Sequence, residues 1–135
     1  MIKKGFEQTQ EDLFRERASV LARAGESVQV ALQKLNEIEN GMKHRLKSIK
    51  HSIEENNYEA GTKIDNGPGG LTEKLLDEVN SEILKYNKIR EYARLRYYYF
   101  IVTREAMGLR THKMVEEIYR IPPKKSVLTV GNGQI

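Results

Sequence analysis

Cysteine is missing altogether from this 135-residue sequence. Its absence excludes disulfides, iron–sulfur clusters, zinc–cysteine sites and thiolate nucleophiles, and it fits a reducing compartment. Proline is almost as scarce, occurring only at Pro68, Pro122 and Pro123. No apolar run approaches the ~18 residues of a membrane span. The first residues, Met1 to Gly5, lead into polar residues rather than a signal-peptide core. The expectation is a cytoplasmic protein without a membrane span.

Catalytic signatures are lacking as well. There is no Gly-x-Ser-x-Gly elbow. The Glu-x-x-His pairs of a di-iron bundle are absent, because Gly41, Ser48 and Leu109 stand three residues before His44, His51 and His112. Glu116 follows His112 by four residues, yet nothing in the pattern supplies further metal ligands. Gly67-Pro68-Gly69-Gly70 lacks the Gly-Lys-Ser/Thr of a phosphate loop and follows no strand-like run. The reading is a non-enzyme with no cofactor and no metal.

What the chain does have is heptads. Phe14, Leu21, Val28, Leu35, Met42 and Ile49 recur every seven residues. Ala24, Ala31 and Ile38 interleave with them, and Leu32, Leu46 and Ile53 widen the stripe. A second series runs through Val79, Tyr86, Ala93, Phe100, Met107, Met114 and Ile121. Such spacing predicts two long amphipathic helices meeting along coiled-coil-like seams. Thr9 with Asp12 resembles a capping box, and Thr72 between Leu71 and Leu76 resembles a capped, stapled start. Pro122 and Pro123 end the second helix near Ile121.

The predicted fold is all-α, a long antiparallel helical hairpin forming a single domain over residues 1–123. Its helices run over about 9–58 and 72–121, joined by a Gly/Pro loop at 59–71. Gly108 is the ambiguous residue of the second helix. The seven-residue phase from Phe100 through Met107 to Met114 favours a continuous or mildly kinked helix. The alternative ends it at Gly108, with Thr111 capping a short third helix. Residues 124–135 show no apolar periodicity and are expected to form a flexible tail.

Charge is distributed unevenly along the chain. Residues 1–83 hold 12 basic and 15 acidic side chains, whereas residues 84–135 hold 11 basic and 4 acidic. A smaller basic cluster spans Lys43, His44, Arg45, Lys47, Lys50 and His51. The most unusual stretch is Tyr92-Ala93-Arg94-Leu95-Arg96-Tyr97-Tyr98-Tyr99-Phe100. Successive helical residues are turned by about 100°, so Tyr97, Tyr98 and Tyr99 cannot all face one seam.

Tyrosine and arginine dominate interface hot spots, which makes Arg90, Arg94, Arg96, Tyr97, Tyr98, Tyr99 and Arg104 the candidate interaction residues. The competing explanation is that the rings fill an oligomer core. The expected function is a non-catalytic interaction or scaffold protein acting as a homodimer or with a heterologous helical partner. The second reading is a nucleic-acid-associated protein using the basic half of the second helix. Ala106–Val115 superficially carries the glycine and basic residues of a helix-turn-helix turn, but Glu116 and Glu117 would then face phosphates.

Overall fold

The computed structural model describes residues 2–60 and 71–129. It contains α1 (Ile2–Ala60), α2 (Leu71–Ala106) and α3 (Lys113–Ile118), with no strand among the described residues. The two long helices pack against each other, so the fold is the all-α helical hairpin that the heptads predict. Most of the expected Gly/Pro loop, residues 61–70, lies outside the described residues, as do Val130, Gly131 and Gly133 of the tail. The side chains of Leu71, Thr72 and Ile53 lie outside them too.

The chain divides into two compact units. The first comprises Met1–Gln33 and Arg90–Pro122. Its core is Val28, Phe100 and Val115, with Leu21, Ala24, Leu32, Tyr97, Ile101 and Tyr119 packed around them. Gly25 makes this packing fit. A Cβ at that position would sit 3.3 Å from both Phe100 Cε1 and the Tyr119 hydroxyl. The rings of Phe100 and Tyr119 meet edge to face at 5.4 Å over this bare stretch of α1.

The second unit comprises Lys34–Ile89 and Pro123–Ile135. Leu35 and Met42 of α1 are buried there, as are Leu76, Val79, Ile83 and Tyr86 of α2. Arg45 of α1 and Glu82 of α2 form an ion pair at 2.7 Å at the edge of this seam.

Four expectations need correction. First, α1 starts at Ile2 rather than near Thr9. The Thr9 hydroxyl donates to the Gly5 carbonyl at 2.8 Å, a bond made inside a helix rather than a cap. Every described side chain from Gly5 to Val20 is exposed, including Phe14 at 66%.

Second, the helix predicted over 72–121 ends at Ala106. Gly108 has φ +86°, the only positive φ among the described residues. The Gly108 N–H donates to the Glu105 carbonyl at 3.0 Å and the Leu109 N–H to the Arg104 carbonyl at 2.9 Å. These are the paired closing bonds of a glycine-terminated helix. The Arg104 side chain fastens the turn, donating from Nη2 to the Thr111 carbonyl at 3.0 Å. The seven-residue phase across the break is therefore coincidental: Met114 is 74% exposed, and Val115 takes the buried place instead.

Third, α3 is not capped by Thr111. Its N-cap is His112, whose side chain makes no capping bond. Fourth, the tail expected to be flexible from Lys124 is seated as far as it is described. The Asn87 side chain accepts from the Lys125 N–H and donates to the Lys125 carbonyl, both at 2.8 Å. Asn80 repeats the arrangement on Leu128, at 2.7 and 2.9 Å. In the first unit, Arg90 Nε donates to the Pro122 carbonyl at 2.7 Å.

The glycine break makes a direct prediction. A Cβ at position 108 meets no atom within 4 Å, so only backbone strain opposes a side chain there. Gly108→Ala is expected to lower stability by about 1 kcal/mol, the cost of a left-handed non-glycine residue. Thermal melts read this directly, and a rise in the midpoint would instead indicate a continuous helix.

Candidate functional site

Three sides of α2 within the first unit carry different tasks. Ala93 and Phe100 are buried in the seam with α1. One residue earlier on each turn, Tyr92 and Tyr99 are rotated by about 100° and face outward. Leu95 and Val102 are exposed as well, completing a stripe at alternating spacings of three and four residues. Tyr98, 62% exposed, flanks this stripe, its ring meeting that of Tyr99 at 6.0 Å. A second row of apolar side chains, each about half exposed, thus lies on a helix whose first stripe is already buried.

The seven candidate residues separate into two groups. Arg94, Arg96, Tyr98 and Tyr99 border or form the stripe. Arg94 is exposed and lies 3.9 Å from Glu91. Arg96 folds over the Tyr92 ring at 5.3 Å from its centre and donates to the Tyr92 hydroxyl at 3.0 Å. This stiffens both side chains at the edge of the patch.

Arg90, Arg104 and Tyr97 do other work. Arg90 is largely buried, holding the Pro122 carbonyl and pairing with Glu91 at 2.8 Å. Arg104 stacks at 5.9 Å over Phe100, fixes the Thr111 carbonyl and reaches His112 Nδ1 at 3.4 Å. His112 in turn lies 3.1 Å from Glu105 rather than pairing with Glu116. Tyr97 packs against the Val28–Phe100–Val115 core, and its hydroxyl is buried with no hydrogen-bond partner. Burial pushes its ionisation above the usual tyrosine range. Glu116 adds to the rise and Arg104 opposes it.

The aromatic run alone does not reveal the stripe geometry. Tyr92, Leu95 and Val102 belong with Tyr99, and the three-four spacing is the signal that groups them. In the second unit, the basic cluster on α1 is partly neutralised locally. Arg45 pairs with Glu82, Lys43 lies 3.8 Å from Glu39, and His51 lies 3.7 Å from Glu55. Among the described residues no group of three or more His, Asp or Glu side chains is placed to hold a metal. No helix among them is long and apolar enough to cross a membrane. Comparison with known protein families, curated proteins and solved structures finds no match.

The buried Tyr97 hydroxyl yields a test. An unpartnered buried hydroxyl costs stability, so Tyr97→Phe is expected to match or exceed the parent by up to about 1 kcal/mol. The raised ionisation has a defined sign. The folded state favours the neutral phenol, a contribution complete below pH ~10 and lost as pH climbs through the raised value. Chemical denaturation at pH 7 checks the substitution, and a fall of more than 1 kcal/mol would mean that the hydroxyl makes a stabilising bond.

Proposed function

We propose that the chain is a non-catalytic interaction module whose α2 presents the Tyr92–Leu95–Tyr99–Val102 stripe to a helical protein partner. One observation carries this reading: Leu95, Tyr99 and Val102, each about half exposed, line up on a helix whose Ala93–Phe100 seam is already buried. Contiguous apolar surface of this kind marks contact sites. A helical partner matches it because anchors spaced by three and four residues are read by another helix or by a helix-binding groove. Arg94 and Arg96 supply a polar rim, with Tyr98 and Tyr99 as rigid aromatic anchors. The exposed apolar residues Phe6, Leu13, Phe14 and Val20 on α1 offer further surface of the same class. A second copy of the chain is the simplest helical partner to test first.

The second reading, nucleic-acid association through the basic residues of 84–135, would have to rely on other side chains than three of them. Arg90, Arg104 and Lys125 are each engaged in holding the fold's own backbone or rings. Phosphate-driven binding weakens steeply with salt, whereas aromatic anchoring does not.

Substitutions separate the stripe from the core. Tyr99→Ala and Leu95→Ala are expected to change stability by no more than about 0.5 kcal/mol, as exposed substitutions do. Each is expected to weaken association by at least about tenfold, the loss typical of a hot-spot residue. Tyr97→Ala, by contrast, is expected to cost about 2 kcal/mol of stability because its ring lines the core. Sedimentation over a dilution series and retention of partners at two salt concentrations provide the readout. Unchanged association in the Tyr99→Ala protein, or binding abolished by moderate salt, would contradict the proposal.

A further inference from the structure

Residues 2–20 of α1 span about 28 Å of helix, and every described side chain from Gly5 to Val20 is exposed. Leu21 is the first described residue of α1 packed against the Val28–Phe100–Val115 core. A helix of this length that packs on nothing is marginal in water, because tertiary contact supplies most helix stability. Its residues are nevertheless those of a contact face. Phe6 and Phe14 are 64% and 66% exposed, and Leu13 is 44% exposed. At about 100° per residue, Phe6, Gln10, Leu13, Phe14, Arg17 and Leu21 share an arc of about 100° with Val28. The face that buries Val28 therefore continues past the last residue of α1 that this core covers.

The order of residues along this face identifies its occupant. Positions 6, 10, 13, 14, 17 and 21 are separated by four, three, one, three and four residues, a spacing that reads the same in both directions. A second copy laid antiparallel, with the two-fold axis between Leu13 and Phe14, sets Leu13 against Phe14, Gln10 against Arg17 and Phe6 against Leu21. Each apolar residue then meets an apolar one. Each Arg17 guanidinium can donate to the Gln10 amide oxygen of the other copy. Glu7 of the second copy falls opposite Val20, one turn from Arg17, and supplies the countercharge. A parallel pairing in register sets Arg17 against Arg17 at the centre of the face, where like charges repel. An isologous contact requires this symmetry, and a foreign partner does not.

We infer that residues 6–21 of α1 pair with the same residues of a second copy, antiparallel about Leu13 and Phe14. The Gln10–Arg17 contacts set direction and register, the role that a single buried polar residue takes in a coiled coil. Phe6 of one copy closes over Leu21 of the other, at the edge of its core, so the pairing extends the packing of both cores. A contact of about 24 Å along two helices lies at the low end of specific interfaces, so the dimer is reversible at micromolar concentration. The site is separate from the Tyr92–Leu95–Tyr99–Val102 stripe of α2 and does not rest on it.

The chain lacks cysteine, so introduced cysteines report the pairing directly. Full-length Gln10→Cys and Arg17→Cys proteins are mixed in equal amounts at micromolar concentration and oxidised. The cross-link between positions 10 and 17 is expected to exceed the 10–10 and 17–17 cross-links about tenfold, since disulfides form only between close Cα atoms. Adding Phe14→Glu to both proteins is expected to reduce it about tenfold, the loss typical of a hot-spot residue. The melting midpoint of the single chain is expected to stay unchanged, because Phe14 is exposed there. Charge exchange gives a second measurement in the chain without cysteines. Arg17→Glu is expected to weaken self-association about tenfold in sedimentation, and adding Gln10→Arg to restore it, because only the antiparallel pairing sets 10 against 17. Tyr99→Ala is expected to leave the 10–17 cross-link unchanged. Sedimentation of the Phe14→Glu chain reads any association through α2 by itself, so either reading can fail without the other. Dominant 10–10 or 17–17 cross-links, loss of the 10–17 cross-link in Tyr99→Ala, or no rescue by charge exchange would overturn the inference. So would an absence of cross-linking, since the face would then belong to a foreign helix.

Discussion

The left-handed turn at Gly108 is the constraint on which the rest of the fold depends. Only glycine adopts φ +86° without a steric cost, and the two closing bonds to Arg104 and Glu105 satisfy carbonyls that a helix end would otherwise leave open. Because α2 stops at Ala106, residues 109–119 are free to fold back as a turn and the short α3. That return places Val115 in the core beside Val28 and Phe100, and lays Tyr119 over Gly25. It also delivers the chain to Pro122, where Arg90 holds it, and so supplies the segment that Asn87 and Asn80 seat. A helix continuing to Ile121 would remove every one of these contacts.

The seated segment also shows how backbone outside any helix finds partners, at Lys125 and Leu128. A β-strand finds its donors and acceptors on a neighbouring strand. Here amide side chains on a helix take that place, one for each third residue of the peptide. The residues carrying them follow directly after buried seam positions, Asn80 after Val79 and Asn87 after Tyr86. A rotation of about 100° per residue sets each asparagine beside the seam rather than in it. The same one-residue offset, in the opposite sense, sets Tyr92 and Tyr99 outside the Ala93–Phe100 seam in the first unit. Helix periodicity alone thus allots burial, peptide holding and outward display to adjacent residue numbers.

The hairpin was legible because its determinants are periodic. Val28, Leu35 and Met42, and Val79, Tyr86, Ala93 and Phe100, are apolar at intervals of seven and are all buried. The break at Gly108 was misread because the spacing persists through Met107 to Met114 by coincidence, while the real contact belongs to Val115. A single glycine in a helical pattern is ambiguous, since its cost is small until the surrounding bonds decide its conformation. The tail was misread for a different reason. It is held largely through its main chain, which leaves no trace in hydropathy, and its receptor is two asparagines whose seven-residue separation carries meaning only beside an extended partner. The role of Gly25 was equally hidden, because nothing local announces that two rings will cross that turn of α1.

Amide hydrogen exchange on the wild-type chain tests this account most directly. If the chain turns back at Gly108 and its tail is gripped by Asn80 and Asn87, the Lys125 and Leu128 amides must exchange slowly. The Ser126 and Val127 amides between them, whose N–H groups make no comparable bond to α2, must exchange quickly. Two slow amides three residues apart are the signature of a peptide held at every third residue. Exchange of all four at the rate of unstructured chain, together with unbroken protection from Met107 through Ile121, would contradict it.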